Sequence, residues 1–89
     1  DAMWQHFVKD NVVSERPCVL RQVVVCGSDA SDGRIVLYDG LNANGRHLAT
    51  VRVKQDTTRP LNFPAGLPCS EGLYLDIIDG IDGVLVVWE

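Results

Sequence analysis

The chain has no apolar run longer than a few residues, far short of the ~20 that a membrane-spanning helix needs. Asp1-Ala2-Met3-Trp4-Gln5-His6 has neither the basic start nor the apolar core of a signal peptide; it does not begin with Met, which leaves trimming, processing or a partial chain open. Histidines are limited to His6 and His47, and cysteines to Cys18, Cys26 and Cys69. Three thiols do not make the even, dense set of a disulfide-stapled scaffold, and no two of them stand at the short spacing of a zinc site. One bridge, such as Cys26–Cys69, with a third free thiol stays open. The simpler reading is three reduced thiols acting as small hydrophobes, which fits assembly in a reducing cytosol.

Chemistry-bearing combinations are equally scarce. A nucleophile needs a positioned base, and Cys69 with His47 is the sole conceivable dyad, without local support. No glycine-rich loop follows a strand and opens a helix in the manner of a phosphate-binding turn. Asp76, Asp79 and Asp82 crowd oxygen donors onto one turn, but an EF-type calcium loop wants acids at every second position and a glutamate at the twelfth; a hairpin joining the last two strands accounts for Asp79-Gly80 and Asp82-Gly83 instead. The loop holding Asp29 and Asp32 is expected to close a hairpin in the same way. No catalytic, cofactor-binding or metal-binding residue is therefore expected, and the chain does not read as an enzyme.

What is present is a folded core on a thin margin. Apolar residues make up 46% of 89, too many for disorder, and a single domain of this size buries only about 60–65% of its unfolded surface. Disulfides, metals or oligomerisation usually make up that deficit, and the first two are weakly represented here. The net charge is −4, unevenly spread: −2 over residues 1–33, +3 over 34–70 and −5 over 71–89. An acidic chain gains no counterion-release drive toward nucleic acid. The opposed blocks suit either register between neighbouring copies or an ordinary solvated surface.

Turn signals recur at Asp32-Gly33, Asp39-Gly40, Asn44-Gly45, Asp79-Gly80 and Asp82-Gly83, all residue types that tolerate positive φ. Between them lie short β-rich segments: Val19–Cys26, Arg34–Tyr38, His47–Lys54, a minor piece at Leu61–Phe63, Leu73–Ile78 and Val84–Trp88. This spacing predicts a small antiparallel β-sandwich or barrel. Ala49, Val51 and Val53 face one way against Thr50, Arg52 and Lys54, and Leu73, Leu75 and Ile77 oppose Tyr74, Asp76 and Ile78, the pattern of half-buried strands. The first and last of these segments are apolar on both faces, as Val23-Val24-Val25 and Val84-Leu85-Val86-Val87-Trp88 show. Either a subunit interface or a covered interior explains that. Residues 1–17 read as an arm, extended by Val12-Val13 and Pro17 or else partly helical by the stripe of Trp4, Phe7, Val8 and Val12, preceding a sandwich domain of residues 18–89, and residues 55–71, with Pro60, Pro64 and Pro68, as an irregular crossing between sheets. Large apolar residues on an arm either fold back on their own sandwich or anchor into another protein. Trp4, Phe7, Val8, Val24, Val87 and Trp88 are the candidate interface residues.

Taken in order, Gly33-Arg-Ile-Val-Leu-Tyr-Asp-Gly40, Gly45-Arg-His-Leu-Ala-Thr-Val51, Phe63, Gly72-Leu-Tyr-Leu-Asp-Ile77 and Gly83-Val-Leu-Val-Val-Trp88 resemble small β-sandwich structural proteins of tailed bacteriophages, of the kind found as head decoration (cement) proteins or short fibre and tail components. The resemblance covers about residues 18–89, and each motif doubles as a generic hairpin signal. It implies a jelly-roll-like sandwich, a homotrimer by preference, on the capsid surface of a virion assembled in the host cytoplasm, with the major capsid protein or other virion subunits as partners. The alternative expectation is a carbohydrate- or receptor-binding β-sandwich module of a phage fibre, a tail or a secreted protein.

Overall fold

A computed structural model describes residues 2–89 and shows an all-β protein of two packed four-stranded antiparallel sheets. The strands are β1 (Met3–Phe7), β2 (Asn11–Ser14), β3 (Cys18–Gly27), β4 (Gly33–Asp39), β5 (Arg46–Val53), β6 (Thr58–Cys69), β7 (Leu73–Asp79) and β8 (Ile81–Trp88). One sheet has the order β1-β8-β3-β6 and the other β2-β7-β4-β5. Six of the seven connections therefore cross between sheets, and only β4 and β5 form a hairpin of consecutive strands within one sheet. Eight strands wound in this order make a jelly roll.

Alternation places the core. Ala49, Val51 and Val53, and Leu73, Leu75 and Ile77, face the inter-sheet space as their period of two predicts. They meet Leu20, Val23, Val25, Val84 and Val86 of the opposite sheet, all fully buried. Phe7 and Trp88 close this core at 4% and 7% exposure.

Three expectations are corrected. Within residues 2–17 the chain does not stand apart from the sandwich as an arm: Met3–Phe7 pair in register with Trp88–Val84, and Asn11 and Val12 pair with Leu75 and Tyr74. The sandwich domain thus includes this segment, because Phe7 has core to fill and β8 otherwise lacks a second neighbour. Residues 58–69 form one twelve-residue strand rather than an irregular crossing. Pro60, Pro64 and Pro68 are tolerated because β6 is an edge strand bonded only to β3, so its other side needs no donors. Finally, the Asp79-Gly80 turn does not close a hairpin, nor does the Gly27–Gly33 loop; each carries the chain from one sheet to the other. Gly80 sits there at φ +62°, and a Cβ on it would stand 2.2 Å from the Asp32 carbonyl oxygen, so both conformation and space require glycine.

Candidate functional site

The two outer faces differ in chemistry. On the β1-β8-β3-β6 sheet, register sets Trp4 beside Val87, and His6, Leu85, Val24 and Pro60 in a second row. The His6 ring lies over Gly83, whose missing side chain leaves the space it occupies. Trp4 is 69% exposed, and Met3 and Val8 on or next to the same edge strand are 50% and 63% exposed. Val24, Leu85 and Val87 are half-buried. Gln22, whose side-chain amide donates to Asn62 Oδ1 at 2.8 Å, ends the apolar strip on the β6 side.

Of the six candidate interface residues, the structure thus brings Trp4, Val24 and Val87 together on this face, with Val8 in the loop after β1. It turns Phe7 and Trp88 inward to the core, at 4% and 7% exposure. Leu85 and Pro60 join the strip without having been singled out. Only the pairing of β1, β3, β6 and β8 shows that they share it.

The β2-β7-β4-β5 sheet presents Arg34, Val36 and Tyr38 of β4 beside Thr50 and Arg52 of β5 and Tyr74 and Asp76 of β7. The Tyr38 ring stands 6.4 Å from that of Tyr74 and edge-on to His47 at 6.2 Å. Burial, with the nearby Asp10 and Asp76 carboxylates and the Tyr38 ring, pushes the Tyr74 phenol up. The Asp76 carboxyl is also held above its ordinary range, first by burial and then by the charge and hydrogen bonding of Asp10, with Arg34 pulling the other way. Asp10 in turn accepts the Ile77 amide at 2.7 Å. Asp79 lines a different feature, the cleft described next, and Asp82 is exposed on β8, so the fold disperses the carboxylates that the turn sequence crowds together.

At one end of the sandwich a cleft of about 390 Å³ is lined by Asp32, Gly33, Arg34, Arg52, Val53, Lys54, Arg59 and Asp79. Arg34 stands directly opposite Arg52 across the β4–β5 ladder. Arg59 comes from the other sheet and donates Nη1 to the Arg52 carbonyl at 3.0 Å. Among the described residues none of these four cations lies within ion-pair distance of a carboxylate; the two ion pairs join Arg21 to Glu89 and Arg46 to Asp39. A signal for this site exists in the sequence, since Arg52 and Lys54 alternate onto the wet side of their strand, but Arg34 and Arg59 join them only through the fold.

At the opposite end Asp39, 1% exposed, organises the β6–β7 turn. Its carboxylate accepts the amides of Ser70, Glu71 and Gly72 at 2.9, 2.8 and 3.3 Å, the Ser70 hydroxyl at 3.1 Å and an Arg46 guanidinium N–H at 3.4 Å. Burial would raise this carboxyl, but the hydrogen bonds from Glu71, Ser70 and Gly72 together outweigh it and hold the group below its ordinary range. The residue does more than begin a turn.

Cys18 and Cys69 face each other across the β3–β6 ladder, both buried and both free. Burial pushes the Cys69 thiol up to about 12, with Cys18 adding to the shift, and burial raises Cys18 as well. Cys26 stands opposite Thr58 at the far end of β3, so the register gives no Cys26–Cys69 bridge. Among the described residues no three His, Cys, Asp or Glu side chains gather as a metal-type donor set, and no helix is long and apolar enough to cross a membrane.

Compared with protein-family models and with curated proteins, the chain matches none.

Proposed function

We propose that this is a virion structural protein, a capsid decoration (cement) subunit that binds the coat-protein lattice and stabilises it through subunit contacts. The carrying observation is Trp4, 69% exposed beside Val87 on the apolar outer face of the β1-β8-β3-β6 sheet. An exposed tryptophan within an apolar strip is the usual anchor of a protein interface. About 800 Å² per partner suffices for a specific contact, and a lattice that binds only the folded subunit stabilises it by mass action. The major capsid protein is the partner in this reading, with a homotrimer as the docking unit on the capsid surface. The sequence resemblance to small phage sandwich proteins points the same way, and the acidic net charge disfavours nucleic acid as the target.

Sedimentation of the purified protein with undecorated capsids tests this. Stoichiometric co-sedimentation that Trp4→Asp abolishes, while Arg16→Gln leaves it intact, supports the proposal. Absence of co-sedimentation overturns it. Deleting residues 1–17 is not a usable variant, because it removes β1 and β2 from the two sheets.

A second reading, a carbohydrate- or receptor-binding module of a fibre, tail or secreted protein, draws on the neighbouring Tyr38 and Tyr74 rings, since aromatic faces with polar neighbours suit sugar stacking. Saturable binding to a glycan panel, lost on Tyr38→Ala and without capsid association, favours this reading over the first.

A further inference from the structure

We infer that the cleft between Arg34, Arg52, Lys54 and Arg59 binds a tetrahedral oxyanion, the phosphate or sulfate group of a small molecule. Two arginines placed directly opposite each other on neighbouring strands repel, and a third, from the opposite sheet, is tied to the same ladder through the Arg52 carbonyl at 3.0 Å. Among the described residues no carboxylate within ion-pair distance relieves any of them. The Arg59 bond spends one donor on orienting the guanidinium and leaves the others for a ligand.

Asp32 and Asp79 also line the cleft, but neither neutralises it. An Asp32 carboxylate oxygen already accepts the Gln55 amide at 2.9 Å. Asp79 pairs with Arg34 in register without reaching it as an ion pair. The lining keeps a surplus of two positive charges. Guanidinium forks match phosphate and carboxylate oxygens alike. Four cations converging from two sheets offer more donors than one carboxylate accepts, and a tetrahedral dianion uses them more fully. The volume of about 390 Å³ falls in the range of small-molecule clefts, with room for an organic group beyond the anion. Buried Val53 and Gly33 belong to its lining.

The test is titration of the full chain with inorganic phosphate, inorganic sulfate and acetate, each at constant ionic strength against chloride. It is read by calorimetry and by amide chemical shifts. Phosphate and sulfate are expected to bind saturably, with shifts confined to residues 32–34, 52–54, 59 and 79, and acetate to bind at least tenfold more weakly. Arg52→Gln and Lys54→Gln are each expected to weaken phosphate binding at least tenfold, and Arg16→Gln, outside the cleft, to leave it unchanged. Because Arg52→Gln removes one of two opposed like charges, its urea midpoint should match or exceed the parent's, which separates lost binding from lost folding. Shifts that chloride reproduces, acetate binding as tight as phosphate, or phosphate binding undisturbed by both cleft variants would each overturn the assignment.

Discussion

The carboxylate of Asp39, at the end of β4, accepts the backbone amide of Ser70 at 2.9 Å from 31 residues further along the chain. With the amides of Glu71 and Gly72 it holds the β6–β7 crossing against the end of the β4–β5 hairpin. A buried carboxylate in such a cradle stabilises the fold only while it is ionised.

Asp39→Asn is therefore expected to lower unfolding free energy by about 2–3 kcal/mol at neutral pH, as hydrogen bonds to a charged group would suggest. The sign with pH follows from the lowered carboxyl. Its contribution is complete above the unfolded value near pH 4 and fades as pH falls through the lower folded value. Urea unfolding from neutral to strongly acidic pH should show the parent losing this stability below about pH 4 and the variant losing less. Equal acid sensitivity in both proteins would remove Asp39 as its source.

Asp76 is shifted the opposite way, by burial and by the neighbouring Asp10 carboxylate. Its ionisation opposes folding fully above its raised folded value, and the penalty disappears below the ordinary carboxylate range. Asp76→Asn is expected to leave stability unchanged or raise it by up to about 1 kcal/mol at neutral pH. Thermal unfolding at neutral pH and again in acid, where the difference should vanish, checks this.

The two tryptophans separate surface from core. Trp88→Ala is expected to destabilise by about 3–5 kcal/mol because it empties a buried site. Trp4→Ala should change stability by no more than about 0.5 kcal/mol, since its ring already faces solvent. Urea midpoints decide this, and a large loss for Trp4→Ala would place that ring within the fold's own packing.

Thiol chemistry should follow burial. With Cys69 pushed up to about 12 and Cys18 also raised, neither forms appreciable thiolate at mildly alkaline pH. Half-buried Cys26 should take up iodoacetamide first in the native protein, with Cys18 and Cys69 following only in denaturant. Peptide mass mapping reads the order, and early labelling of Cys69 would contradict the packed β3–β6 ladder.

The sequence by itself determined the all-β class, the main segments of β3, β4, β5, β7 and β8, and the inward faces of β5 and β7. Those follow from turn chemistry and a period of two, which are local. Only the tertiary structure decided which apolar face is inside when both are apolar, as in β3 and β8. It also decided that Phe7 and Trp88 are core while Trp4 is surface, because alternation separates two faces without saying which one a second sheet covers. Strand partners are set by long-range pairing, so Met3–Phe7 joining β8, and the prolines of β6 lying on an edge, were not legible beforehand. The apolar outer face of the β1-β8-β3-β6 sheet was half visible in Trp4, Val24 and Val87. The cationic cleft was visible only as a basic stretch: Arg34 and Arg52 meet across one hairpin, but Arg59 reaches them from the opposite sheet, a convergence that sequence spacing does not encode.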